Sequence, residues 1–143
     1  MSFQSFRKFL LKSIRPVPNS LFDACDPHGV KLLTRLRVGL SHLKEQKFRH
    51  GSNDTIDPFC PCNMEIESVS HFFLRCLNYN NLRIELMNEL MIIDPNLLQY
   101  NDIYLTETLL YGDKNLSHEM NSKIIDLSIS FIIKSGRFDG PLL

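Results

Sequence analysis

The chain has 143 residues, 43% of them apolar, and a formal net charge of zero. That is enough apolar material for one core and argues against wholesale disorder, and no apolar run approaches the length of a helical membrane span. The neutral total hides a division: residues 1–50 carry ten basic and three acidic side chains, a net +7, and residues 51–143 carry the opposite −7. Such a division points either to an anionic partner for the basic part or to attraction between the two parts within one fold.

In chain order, the opening MSFQSFRKFLLKSIRP lacks the long apolar core and small-residue cleavage site of a secretory signal. It places Phe3, Phe6, Phe9, Leu10 and Ile14 near one side of a helix, and an amphipathic surface helix is favoured over a mitochondrial presequence. The expected location is intracellular, nuclear or cytoplasmic, and not secreted. Pro16 and Pro18 end that helix in a rigid linker, and DPHG at 26–29 reads as a turn. Val30, Leu32, Leu33, Leu36, Val38 and Leu40 predict a helix. Ser41 is placed to cap a short one over 42–49 with Leu43 and Phe48 inward. GSNDTIDPFCPCN at 51–63 reads as a loop. A helix is expected from Ser68, with Val69, Phe72 and Phe73 apolar at i, i+3 and i+4. Another runs from 80 to 92 with Leu82, Leu86, Leu90 and Met91 inward, closed by Asp94 and Pro95. Ile103, Leu105, Leu109 and Leu110 suggest the next. The last and longest spans 117–135, although the alternation of Leu127, Ile129 and Phe131 also suits a short strand.

The expected fold is mostly α, a small helical domain built around a Cys-x-Cys…His…Cys zinc knuckle. Three regions are expected: a basic helical region over 1–50, a zinc-binding loop and helices over 51–92, and C-terminal helices over 93–143. They belong to one compact domain in which 1–17 is the part that could hang loose.

The cysteines are Cys25, Cys60, Cys62 and Cys76. Nothing else in the chain looks secreted, and in a reducing cell clustered cysteines bind metal more often than they form disulfides. Cys60, Cys62, His71 and Cys76 follow the pattern Cys-x-Cys-x8-His-x4-Cys. Three thiols and an imidazole are a standard tetrahedral set for structural Zn2+, and four protein ligands leave no open position for a reactive water. Pro61 stiffens the turn that carries the first pair. His71 and Cys76 lie five apart, about 140° round an ideal helix. They converge only if the helix ends or loosens before Cys76, for which Leu77 and Asn78 offer a place. Glu67, four before His71, is a candidate partner for the other ring nitrogen, or else a solvated side chain near a helix start. Cys25, distant in sequence, reads as a small buried side chain.

A second candidate site is basic. Phosphate contacts need Lys and Arg projecting on one side. Arg35 and Arg37 are about 200° apart on a helix, so the candidate subset is Lys31 and Arg35 with Lys44, Lys47 and Arg49, facing RNA or DNA. Phe48 and Phe59 are candidates for stacking on bases, or for the core. No P-loop, GxGxxG, GxSxG or HExxH occurs, and Cys60 with His71 has no orienting third group.

The stretch IRPVPNSLFDACDPHGVKLLTRLRVGLSHLKEQKFRH, followed by DPFCPCNMEIESVSHFFLRC, resembles the C-terminal region of the open reading frame 2 proteins of jockey-like non-LTR retrotransposons. The likeness extends over almost the whole chain, down to RFDGPLL, and is most specific in LLTRLRVGLSHL and CPC…ES…HFFLRC taken in order. In those proteins the region follows the reverse-transcriptase domain and carries a reverse-transcriptase-associated zinc-binding motif. The resemblance implies Cys60, Cys62, His71 and Cys76 as zinc ligands. It also implies a role in holding template RNA or target DNA, and a reverse-transcriptase domain as neighbour in a full-length relative. The polymerase Tyr/Phe-Ala-Asp-Asp motif and the endonuclease motifs are absent, so no enzymatic activity is expected. The alternative expectation is a structural or docking remnant of a truncated retrotransposon polyprotein with no independent activity.

Overall fold

The computed structural model describes residues 26–51 and 57–139. The expected N-terminal helix, its proline linker and Cys25 lie outside the described residues. The described chain is helical, and its extended pairing is confined to one isolated bridge between Phe59 and Ile66. Helix α1 is Pro27–Val38 and α2 is Lys44–Arg49. Helix α3 is Val69–Leu74, α4 Asn80–Ile93, α5 Asp102–Tyr111 and α6 His118–Ser135. Short 3-10 turns, Leu77–Tyr79 and Pro95–Gln99, precede and follow α4.

Local chemistry sets most of these boundaries. DPHG is a helix start rather than a free turn: the Asp26 carboxylate accepts from the amides of His28 and Gly29 at 3.0 and 3.1 Å, with Pro27 in the first turn. Such a cap satisfies amides that otherwise lack partners. At the other end Gly39 adopts φ +78°, a left-handed conformation in which a side chain would be strained, and the Leu40 amide reaches back to Arg35 O at 2.9 Å. Asn101 and Ser117 cap α5 and α6. The segment with Leu127, Ile129 and Phe131 is helical throughout. Its apolar residues are spread round the helix because α6 packs against α1, α4 and α5.

Helix α6 is therefore the centre of the fold. Gly29 of α1 sits so close to it that a Cβ there would lie 2.2 Å from Ile129 Cγ2, leaving room for hydrogen only. Leu32, Leu33 and Leu36 of α1, Leu86 and Leu90 of α4, and Leu105 and Leu109 of α5 close on Ile124, Ile125 and Ile132. At one end of this core Phe72 meets the rings of Phe73, Tyr79, Phe131 and Phe138 at centroid distances of 5.2–5.5 Å. Helix α3 packs on α5, so the two phenylalanines after His71 bind α3 into the core while His71 stands at its edge.

Two inward expectations are corrected. Phe48 is exposed, because α2 buries Gln46 instead, whose amide binds Ser41 N at 2.8 Å and Leu36 O at 3.3 Å. The helix begins at Lys44, and Ser41 serves only the Leu43 amide that precedes it. Met91 is also exposed, on the outer side of α4. No helix among the described residues is long and apolar enough to cross a membrane.

Candidate metal centre

The expected loop at 51–63 ends in a small hairpin. Phe59 and Ile66 pair antiparallel; Cys60 N donates to Glu65 O and Glu67 N to Pro58 O, both at 2.9 Å. The tip is a turn in which Asn63 N donates to Cys60 O at 2.9 Å. Pro61 stands second in that turn, where its fixed φ fits, and Asn63 takes φ +66°, a conformation Asn tolerates. The turn sets Cys60 and Cys62 on one side.

Helix α3 brings the other pair. Ser68 caps it by accepting from His71 N at 3.0 Å. It ends at Leu74, earlier than Leu77 and Asn78, and the amides of Arg75 and Cys76 share His71 O at 3.0 and 2.8 Å. Cys76 is already extended, at φ −63° and ψ 127°. This early release brings Cys76 round to the side of His71. Arg83 of α4 secures the helix end by donating to Phe73 O at 3.1 Å and to Cys76 O.

The ligand atoms of Cys60, Cys62, His71 and Cys76 all lie within 4.8 Å of one another, close enough to hold one metal ion. Cys60 Sγ is 3.8 Å from Cys76 Sγ, and Cys62 Sγ is 3.3 Å from His71 Nε2. A tetrahedral ion bound at about 2.3 Å to sulfur and about 2.0 Å to nitrogen sets its ligands roughly 3.5–3.8 Å apart, and these two pairs stand near that spacing. Cys60, His71 and Cys76 are buried and Cys62 is half-buried.

Burial pushes the Cys60 thiol up to about 12 and raises Cys76 as well. Burial acts upward on Cys62 too, but the Met64 amide and the Cys60 and Cys76 thiols outweigh it and hold Cys62 below the ordinary thiol value. His71 Nδ1 has no aligned hydrogen-bond partner, yet lies 3.3 Å from Glu65 Oε2. Glu65 in turn takes the Arg75 Nε at 2.9 Å, and Arg75 reaches Asp102 at the start of α5. A carboxylate behind the imidazole fits a histidine that presents Nε2 to a metal. The carboxylate is Glu65, and Glu67 is neither the imidazole's partner nor a solvated side chain, because the hairpin turns it inward. There Glu67 is 1% exposed and binds Arg137. Glu65, Arg83 and Arg137 were not foreseen. Each acts across a turn or from another element, and no spacing in the chain marks them.

The basic candidates are dispersed. Lys31 and Arg35 share one side of α1, exposed and half-exposed, away from Leu32, Leu33 and Leu36. Lys44 pairs with Asp57 at 3.1 Å, Arg49 with Glu45 on its own helix, and Lys47 is half-buried. Arg37 is excluded from any patch, being 4% exposed, bonded to Leu110 O and 5.2 Å from the Tyr111 ring centroid. Phe59 is exposed on the hairpin and Phe48 on α2. Compared with family models, curated proteins and solved structures, the chain matches none.

Proposed function

We propose that the chain is a non-catalytic zinc-binding module of the kind that follows the reverse-transcriptase domain in jockey-like non-LTR retrotransposon proteins. In this reading zinc fastens the hairpin to α3, and the basic side of α1 with α2 contacts RNA or DNA. The observation that carries the metal is the donor set: three sulfurs and one imidazole nitrogen within 4.8 Å of one another. Soft thiolates select zinc over magnesium or calcium, and a complete set of four protein ligands makes the site structural rather than catalytic. Cys60, Cys62, His71 and Cys76 would hold the ion. When bound it supplies a fixed tetrahedral junction and no reactive position.

The nucleic-acid part is supported by Lys31 and Arg35, one turn apart on the outer side of α1. Lys44 and Arg49 already have acidic partners, so they would contribute only by exchanging them. Few phosphate contacts mean modest affinity and a shallow salt dependence. The test is titration of labelled RNA and DNA oligonucleotides with the zinc-loaded chain at two salt concentrations. Binding is expected at low salt, reduced by K31E/R35E; no binding even at low salt ends the nucleic-acid reading.

The second reading, a structural or docking module with no activity of its own, is favoured by α4. Ile84, Met91 and Ile92 are 61%, 49% and 77% exposed, an apolar side beyond that turned to the core. It expects zinc binding without nucleic-acid binding, and self-association driven by that surface.

A further inference from the structure

Glu67 gathers more of the structure than any ligand does. Its backbone amide closes the hairpin on Pro58 O at 2.9 Å, and its carbonyl takes Glu45 N at 3.3 Å. Its Oε1 accepts from Lys44 N at 2.7 Å. That amide opens α2, where Leu43 at the cap position offers no side-chain acceptor. Its Oε2 is 4.0 Å from Cys60 Sγ. Arg137, two residues past the end of α6, grips both oxygens: Nε donates to Oε2 and Nη2 to Oε1, each at 2.8 Å. The same Nη2 donates to His42 O at 2.9 Å.

We propose that Glu67 and Arg137 form a clasp that holds the metal centre in its binding geometry and orders the basic helix α2, making the segment after α6 part of the metal site. The inference rests on the zinc reading above. A carboxylate almost wholly removed from water, beside a sulfur that must become a thiolate, is stable there only with a matched cation and filled hydrogen bonds. Arg137 supplies the bidentate, charge-assisted match. Without it the least costly relief is for the hairpin to open and Glu67 to reach solvent. That movement draws Cys60 away from Cys76 and removes the acceptor at the start of α2, a six-residue helix too short to persist alone. Glu85 provides the contrast. It is 58% exposed, and its partner Lys134 near the end of α6 51%, so losing Lys134 leaves a carboxylate that water can serve in place.

The experiment is zinc competition between the full chain and a chromogenic chelator, with amide hydrogen exchange read over α2. Arg137→Met is expected to weaken zinc binding about tenfold or more, as loss of a supporting partner does, and to speed exchange in α2. Lys134→Met, which breaks the exposed pair with Glu85 away from the cluster, stays within about threefold of the unaltered chain, as exposed pairs are worth little. The double variant E67Q/R137M removes the orphaned charge as well and regains most of the lost affinity and protection, which also guards against reading a simple folding failure as support. Zinc binding by R137M equal to that of the unaltered chain overturns the clasp. So does a double variant no better than R137M, since lost packing then accounts for the effect. An unaltered chain that binds no zinc overturns the metal reading itself, and the clasp with it.

Discussion

Buried thiols and a metal ion make opposite demands on the same protons. Burial raises Cys60 to about 12 against an ordinary 9.0, and Cys76 is raised too. A folded value above the unfolded one means that protonated Cys60 stabilises the metal-free fold below about pH 9 and loses that contribution as pH rises from there toward 12. A metal needs the thiolates, so uptake must expel those protons and affinity must rise with pH through neutrality. Titrating zinc into the chain in two buffers of different ionisation enthalpy should therefore show release of about two to three protons per ion near neutral pH, two from the raised Cys60 and Cys76 and the rest from the lowered Cys62. Release of fewer than about one would mean that the thiols are not the ligands.

Helix α3 shows how an element too short to be stable alone is made to position a candidate ligand. Its six residues are held by Phe72 and Phe73 below and by the Ser68 cap, which accepts from the amide of His71 itself. Ser68→Ala should cost about 1 kcal/mol in a denaturant melt and also weaken metal binding. Asn101→Ala, which removes the equivalent cap at Tyr104 N of α5, should cost about as much stability with little effect on metal. Equal effects on metal from the two variants would show that the cap acts only through global stability. Much of this element was legible in the sequence, because the cap, the apolar i, i+3, i+4 triplet and four ligands within 17 residues are local patterns. The early end of α3 was legible as a requirement but not at its true place, since Arg83 of another helix fixes it. Phe48 and Met91 were misplaced for a related reason: periodicity shows that a helix has an apolar side but not how far the neighbouring helix extends over it. Arg37 is the inverse case, a charged residue at 4% exposure held by the C-terminal end of α5. Pairings such as Glu67 with Arg137, 70 residues apart, leave no local trace at all.

At the scale of the molecule, two kinds of cohesion meet along α3. The packing of α1, α4 and α5 on α6 is apolar and contains none of the four candidate ligands. The hairpin over 57–67 and helix α2 bury little apolar area of their own. They are tied in by Glu67, Gln46 and the Cys/His cluster. Removing the metal should consequently affect the two parts unequally. Chelation should lower the melting temperature by about 10 °C or more, because binding free energy is folding free energy for the part the metal orders. Far-ultraviolet circular dichroism below the transition should keep most of its helical signal, since α1, α4, α5 and α6 hold one another. Amide protection should fall first in the hairpin and in α2, whose amides at Cys60, Glu67 and Lys44 bond to the hairpin, and last in α6. A metal-free chain that melts at the same temperature would show that the cluster is only a group of buried thiols. One that loses all helical signal on chelation would show that the core around α6 does not stand without the centre at its edge.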